Sequence, residues 1–409
     1  MALRPHKEEA GFPSAKASDL PLSLAAAESI VGRRRAEDFR WRYEDGLALY
    51  AVAEAGERRS RPDLSLFAEA AMRHLVAPDG SILAYRQDEY NLDQVNPGKL
   101  LFSLGRKSGD PRYAIAADAL RRQLSSQPRC PSGGFWHKGI YPNQMWLDGL
   151  FMAAPFYLEY SLVHGDGEGI RDVRRQFGLA EGGCLDEATG LLRHAWNETR
   201  SEPWADPGTG RSPNSWGRAM GWYCMALVDC IALIDRRAGA GAPGTAGSAA
   251  NAAAAAEARD AMRDTLKRTC ASVLRFADPG TGLWWQVLDS GGREGNYLET
   301  SASAMFVYAF ARGVSSGCLD AAVFAEAARK AWASMVSRNV SRAADGLFSL
   351  AGICSVAGLG GKPYRDGTYQ YYLSEPVVSD DYKGVGPFIL AALEMEDLEG
   401  DAPEMEDLE

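Results

Sequence analysis

Histidine is scarce in this chain, five residues in 409, and the seven cysteines are scattered without a CxxC pair. No cluster has the spacing of a metal site, so Cys130, Cys184, Cys224, Cys230, Cys270, Cys318 and Cys354 read as reduced core thiols. Basic residues are outnumbered, 44 Lys and Arg against 54 Asp and Glu, for a formal net charge of -10. A general nucleic-acid binder needs clustered cations to neutralise phosphates, so that partner is not expected. Long apolar runs are missing too. Nothing approaches the ~20 residues of a spanning helix, and the stretch from Met1 to Glu9 lacks the apolar segment of a signal peptide. The expectation is a cytoplasmic protein with no membrane partner. A phosphate-binding glycine loop and a Ser-His-Asp order are also absent, which points to chemistry with no cofactor and no metal.

What the chain does have is 46% hydrophobic and 10% aromatic residues, enough for a sizeable core. It also repeats one design, an aromatic and polar loop that runs into a small-residue apolar helix. Trp41-Arg42-Tyr43-Glu44-Asp45-Gly46 leads into Leu47, and Tyr90-Asn91-Leu92-Asp93 through Lys99 leads into Leu100. His137-Lys138 through Trp146-Leu147-Asp148 leads into Leu150, and Ser215-Trp216-Gly217-Arg218 with Gly221-Trp222 leads into Tyr223. Asn296-Tyr297-Leu298-Glu299 leads into Ala302, and Tyr369 through Lys383 leads into Val385. Such repetition at intervals of roughly 50 to 80 residues is the mark of a repeat architecture. More polar amphipathic runs lie between, such as Pro111 to Leu124. Six inner and six outer helices make an all-α (α/α)6 toroid with the loops on one rim. Strand-like alternation is sparse, leaving room only for short hairpins in the loops.

One catalytic domain over about 23–398 is expected, preceded by a loosely held segment at 1–22. An Ala/Gly-rich surface insertion is expected at about 238–256, although the alanines after Ser248 could begin a helix. An acidic tail follows at 399–409, where Glu-Met-Glu-Asp-Leu-Glu is duplicated.

The candidate for chemistry is Asp148, set among aromatic side chains. Apolar rings around a carboxyl raise its pKa by desolvation and let it donate a proton near neutral pH. The alternative is that Asp148 only caps the helix that follows. Asp93 likewise reads as a second site carboxylate or as a turn residue. A negative surface does not exclude an anionic small substrate, because a local Arg or Lys can still grip it.

Four stretches, Gln144 to Leu150, Ser215 to Arg218 with Gly221-Trp222, Leu298 to Met305, and Ser374 to Asp381, together resemble glycoside hydrolase family 105. These are the unsaturated rhamnogalacturonyl hydrolases, whose (α/α)6 barrel is shared with the unsaturated glucuronyl hydrolases of family 88. The likeness covers roughly Trp41 to Leu393. It implies a lyase-generated oligosaccharide substrate with a 4,5-unsaturated uronic acid at its non-reducing end. Hydration of the C4=C5 double bond would yield a hemiketal that rearranges to free the shortened sugar. By this likeness Asp148 is the acid/base and Asp93 the second carboxylate, whose like charge would raise Asp148 further.

The same likeness places Tyr43, His137, Lys138, His194, Arg218 and Trp222 at the substrate. His194 could instead be a structural hydrogen-bonder, and Arg218 could brace its loop through backbone carbonyls rather than grip a uronate. Trp41, Trp146 and Trp216 are further candidate sugar platforms, with Tyr43 and Trp222 preferred. Competing readings keep the chemistry but change the sugar to other unsaturated glucuronyl or galacturonyl units. A sugar epimerase or an inactive carbohydrate-binding toroid are the remaining ones, and monomer and homodimer both stay open.

Overall fold

The computed structural model describes residues 20–239 and 249–400. In chain order the helices are α1 (Leu22–Arg33), α2 (Tyr43–Arg58), α3 (Pro62–Leu75), α4 (Lys99–Ser108), α5 (Pro111–Ser126), α6 (Leu147–His164) and α7 (Gly167–Cys184). Then come α8 (Gly217–Gly239), α9 (Ala249–Arg275), α10 (Thr300–Ser315), α11 (Ala321–Asn339), the short α12 (Tyr369–Ser374) and α13 (Tyr382–Gly400). Local chemistry sets their ends. Proline occupies the first turn of α3 and α5, where a missing N–H costs nothing, and Asp110, Asp166 and Asp320 cap α5, α7 and α11.

The six loops singled out in the sequence feed α2, α4, α6, α8, α10 and α13. These pack in that order, and α13 returns to α2 to close an inner ring. The outer partners are α3, α5, α7, α9 and α11, and α1 lies on α13 as the sixth, so the first helix completes the last pair. This is the expected toroid. Inner helices are buried all round: α8 is buried from Gly217 to Ile231 and α10 from Thr300 to Ala311. Outer α5 buries one stripe, including Tyr113, Ala116, Ala117, Leu120 and Leu124, and turns its charges to water. Gly221 lets α8 touch α10, since a Cβ there would stand 2.6 Å from the Met305 sulfur. Though long and apolar enough to cross a membrane, α8 is a buried wall of the barrel.

Three two-stranded ribbons tie the rim loops together. They pair β1 (Gln144–Trp146) with β2 (Ala195–Asn197), β3 (Val340–Arg342) with β4 (Phe348–Leu350), and β5 (Ile353–Cys354) with β6 (Val377–Val378), all antiparallel. The first and third join separate loops, so they are cross-braces; only β3–β4 is a hairpin.

Segment boundaries differ from the sequence reading at their inner edges. Residues 1–19, 240–248 and 401–409 lie outside the described residues, and with them most of the N-terminal segment, the glycine-rich half of the insertion and nearly all of the tail. The alanine-rich stretch from 249 onward is the start of α9, as alanine's helix propensity favours, and α13 carries the chain to Gly400. All seven cysteines are buried and free.

Candidate active site

The inner helices all start at one rim, and the site residues come from those starts. Asp93 lies in a short turn at Leu92–Gln94 whose first N–H groups are served by Asn91: its side chain accepts from the Asp93 N–H at 3.0 Å. The capping task belongs to Asn91, so the Asp93 carboxylate is left for other partners. Leu92 donates its N–H to the His137 carbonyl at 3.1 Å, which sets the second loop against the third. Asp93 then meets Lys138 Nζ at 2.6 Å and His137 Nε2 at 3.6 Å. Burial alone would lower the Lys138 ammonium, but the charge and hydrogen bond of Asp93 outweigh it and hold its pKa above the usual value.

His137 stacks on Trp146 with ring centroids 4.6 Å apart, and Tyr141 stacks on the same Trp146 at 4.9 Å. Gly149, on the first turn of α6, leaves room for the ring; a Cβ there would come within 3.2 Å of His137 Nδ1. Burial pushes the imidazole down to about 4, so it is neutral at physiological pH.

Asp148 occupies the first turn of α6 and is 9% exposed. The residue before the helix is Trp146, and no side chain caps it, so Asp148 is not a cap. The β1–β2 register explains what it meets. Trp146 pairs with Ala195, and Leu147 donates its N–H to the His194 carbonyl at 3.1 Å. His194, fully buried, thereby brings Nε2 to 3.1 Å from Asp148 Oδ2. The two atoms are close but off-line, and neither completes a well-directed hydrogen bond. On the far side of the ring, His194 Nδ1 lies 2.7 Å from the Tyr372 hydroxyl. Burial holds that phenol well above its ordinary pKa, so it stays protonated. When the Tyr372 hydroxyl donates to Nδ1, the ring proton sits on Nε2 and faces Asp148.

This corrects the expectation of a raised Asp148 pKa. Burial does push the carboxyl up, but the attraction of His194, by charge and by contact, outweighs it and leaves it below the usual carboxylate value. His137 is neutral and adds little at physiological pH, so His194 is the cause that matters. In the free site Asp148 is a carboxylate that faces His194 Nε2.

The other expected residues are placed as follows. Tyr43 begins α2, half-buried, with its ring edge-on to Trp222 at 6.4 Å; burial first, then the charges of Glu44, Asp93 and Asp148, keep its phenol protonated. Trp222 is 1% exposed and stacked on Phe151 at 4.6 Å. Trp41, Trp146 and Trp216 are also buried. As sugar platforms these four are corrected: they are buried, Trp146 among His137, Tyr141 and His194 and Trp216 among His194, Tyr372 and Arg218, and Tyr43 alone among the five is partly open. Arg218 is 1% exposed and gives its terminal nitrogens to the Cys354 and Ser355 carbonyls, with a weak contact to Ser301 Oγ at 3.4 Å. It braces a rim loop and offers the pocket its charge rather than its fork.

A buried network holds this frame. Glu299 caps α10, accepting from Ser301 N–H, Ser301 Oγ, Ala302 N–H and Cys354 N–H at 2.7–3.2 Å. Gln286 accepts from Trp216 Nε1 at 3.1 Å and donates to the Tyr372 carbonyl at 3.1 Å. Tyr372 and Gln286 escaped the sequence reading because nothing in their spacing marks them; only the crossing of two loops does. Among the described residues no group of three His, Cys, Asp or Glu side chains could hold a metal ion.

The chain as a whole is similar to known proteins. The model of Glycosyl Hydrolase Family 88 matches residues 26–399. A solved glycoside hydrolase from family 105 of C. acetobutylicum ATCC 824 superposes with a TM-score of 0.85 at 39% identity, covering 92% of this chain and 100% of that one. The 24.9 kDa protein in the picA locus of Rhizobium radiobacter is 42% identical over 249 residues, 59% of this chain and 97% of that protein. The unsaturated rhamnogalacturonyl hydrolase YesR of Bacillus subtilis (strain 168) is 27% identical over 287 residues, 68% of this chain and 72% of that protein. With the toroid and these likenesses in hand, the chain belongs to the glycosyl hydrolases of family 88 and, within that kinship, to those of family 105.

Proposed function

We propose that this enzyme removes a 4,5-unsaturated uronic acid from the non-reducing end of lyase-generated oligosaccharides by hydrating its C4=C5 double bond, with unsaturated rhamnogalacturonan disaccharide as substrate. The observation that carries the chemistry is the Asp148–His194 contact at 3.1 Å, a buried carboxylate beside an imidazole nitrogen with no fixed hydrogen bond between them. The likeness to YesR supports the choice of sugar.

Asp148 must be protonated at the moment of reaction, although it is ionised in the free site. The substrate supplies the change. Its own carboxylate brings a second negative charge into a buried pocket, and like charges at close range favour the neutral acid. Asp148 takes up a proton from solvent as the substrate binds, with His194 Nε2 beside it. Asp148 delivers it to C4, and positive charge develops over C5 and the ring oxygen. The resulting Asp148 carboxylate takes a proton from water as the water oxygen bonds to C5. The hemiketal opens by breaking the bond between C5 and the ring oxygen, leaving a ketone at C5 and a hemiacetal at C1 that releases the shortened sugar. Asp93, fixed by Lys138, lies at the same rim to accept sugar hydroxyls. Arg218 adds positive charge behind Tyr43. The seven free thiols suit a reducing compartment, and the cytoplasm is part of the same proposal.

The test is the ultraviolet absorbance of the conjugated double bond, followed with lyase fragments of rhamnogalacturonan and of glucuronan. Bleaching of the first with kcat/KM at least about tenfold above the second is the expected result. The reverse order keeps the mechanism and moves the enzyme to unsaturated glucuronyl substrates. No bleaching of either sinks the hydration reading.

A further inference from the structure

We propose that a groove beside the catalytic pocket binds the sugar that is released, and that Glu44 accepts that sugar's hydroxyl hydrogens. The inference rests on the unsaturated-uronyl reading above and deepens it. The groove runs from the start of α2 along the C-terminal end of α1 to the start of α13, and its cavity volume is about 320 Å³. That lies in the ~300–1,000 Å³ range of small-ligand clefts. Both helix starts and the end of α1 are on the catalytic rim, and Glu44 follows Tyr43 directly in the chain.

Pairing singles Glu44 out. Arg33 holds Asp345 at 2.8 Å and Asp380 at 3.5 Å. Arg34 and Arg42 converge on the buried Asp45 at 2.9 and 3.1 Å, and Lys383 holds Asp381 at 2.9 Å. Every other charge lining the groove thus has a fixed partner. Glu44 is half-buried, yet no other described residue donates a hydrogen bond to it or pairs with it. Burial raises its carboxyl, and the charge of Asp93 pushes the same way against Lys383 and Arg42, which puts Glu44 within electrostatic reach of Asp93.

The Glu44 oxygens open to the groove, where donors of a ligand can take the place of water. Neighbouring hydroxyls of a sugar supply two, one for each oxygen. The exposed edge of Tyr382, half-buried in the same groove, gives the ring an apolar surface. An acidic sugar in this position would set a third negative charge beside Glu44 and Asp93, so the groove fits a neutral, hydroxylated sugar and disfavours a second uronate.

The experiment compares three unsaturated uronides, carrying a methyl group, a neutral sugar or an acidic sugar at C1, with the wild type, Glu44→Gln and Glu44→Lys. The expected result is that Glu44→Gln lowers kcat/KM for the neutral-sugar substrate about tenfold more than for the methyl glycoside, as loss of a hydrogen bond to a charged group does. Glu44→Lys should narrow or invert the wild type's preference for the neutral over the acidic sugar. Equal losses on the methyl glycoside and the disaccharide overturn the groove assignment alone, because Glu44 would then act on the uronyl ring. An unchanged sugar preference in Glu44→Lys overturns it as well. A wild type that turns over none of the three overturns the unsaturated-uronyl reading and the groove with it.

Discussion

Glu299 and Asp148 are both buried carboxylates at the start of an inner helix, and they are bonded in opposite ways. Glu299 takes four donors, from Ser301, Ala302 and Cys354, and has no capacity left. Asp148 faces one imidazole 3.1 Å away in an off-line contact, and its Oδ2 has no hydrogen-bond partner. A fully bonded carboxylate fixes the backbone; an under-bonded one can exchange a proton. Asp45, buried under Arg34, Arg42 and the Arg40 N–H, belongs with Glu299. Asp93, with its single lysine and its 15% exposed side chain, stands nearer to Asp148.

Four substitutions test this contrast. Asp148→Asn keeps the shape and removes the proton carrier, so kcat should fall by about 10³–10⁴, near the upper range of general acid–base catalysis, with thermal stability little changed. Glu299→Gln should do the reverse. It removes acceptor charge from a buried network and should destabilise the fold by about 3 kcal/mol, seen as a lower thermal midpoint, while activity per folded molecule falls less than tenfold. If Glu299→Gln costs as much kcat as Asp148→Asn, the distinction fails.

His137 sharpens the comparison through pH. Its folded pKa, about 4, lies below the unfolded value of about 6.5, so the unfolded chain binds the extra proton between these limits. Stability is full above about 6.5 and declines as pH falls toward 4, by about 3 kcal/mol. His137→Phe should flatten that slope in denaturation curves taken across the window. A slope that survives would mean that other groups carry it. The smallest effect is expected from Tyr372→Phe, which takes the hydroxyl from His194 Nδ1: about tenfold in kcat with KM within about twofold, measured on the disaccharide. An equal rise in KM would make Tyr372 a substrate contact instead.

The order of inner helices was readable because each is announced by an aromatic loop and then a run of small and apolar residues, as in Gly221-Trp222-Tyr223-Cys224. The closure of the ring was readable as a count of pairs, but not the use of α1 as the outer partner of α13, since contacts so far apart in sequence leave no periodic trace. At the site, the residues themselves were legible and their ionisation was not. Aromatic neighbours suggested a raised Asp148, whereas the deciding group is His194, brought across by the β1–β2 register from nearly fifty residues away. Trp222 shows the same limit. A tryptophan at a helix start can face a sugar or the core, and only packing on Phe151 decides for the core. Arg218 resolved toward the brace for a similar reason, since its carbonyl partners lie in the loop at Cys354 and Ser355.

The most direct measurement is a single-turnover reaction on the unsaturated disaccharide that records the bleaching of the double bond and the appearance of the shortened sugar together, with the wild type and Asp148→Asn. In the wild type, bleaching should precede or coincide with sugar release, and in the variant both should be lost. Sugar released ahead of bleaching, or an Asp148→Asn enzyme that bleaches the substrate within about tenfold of the wild-type rate, would contradict the assignment of Asp148 as the residue that protonates C4.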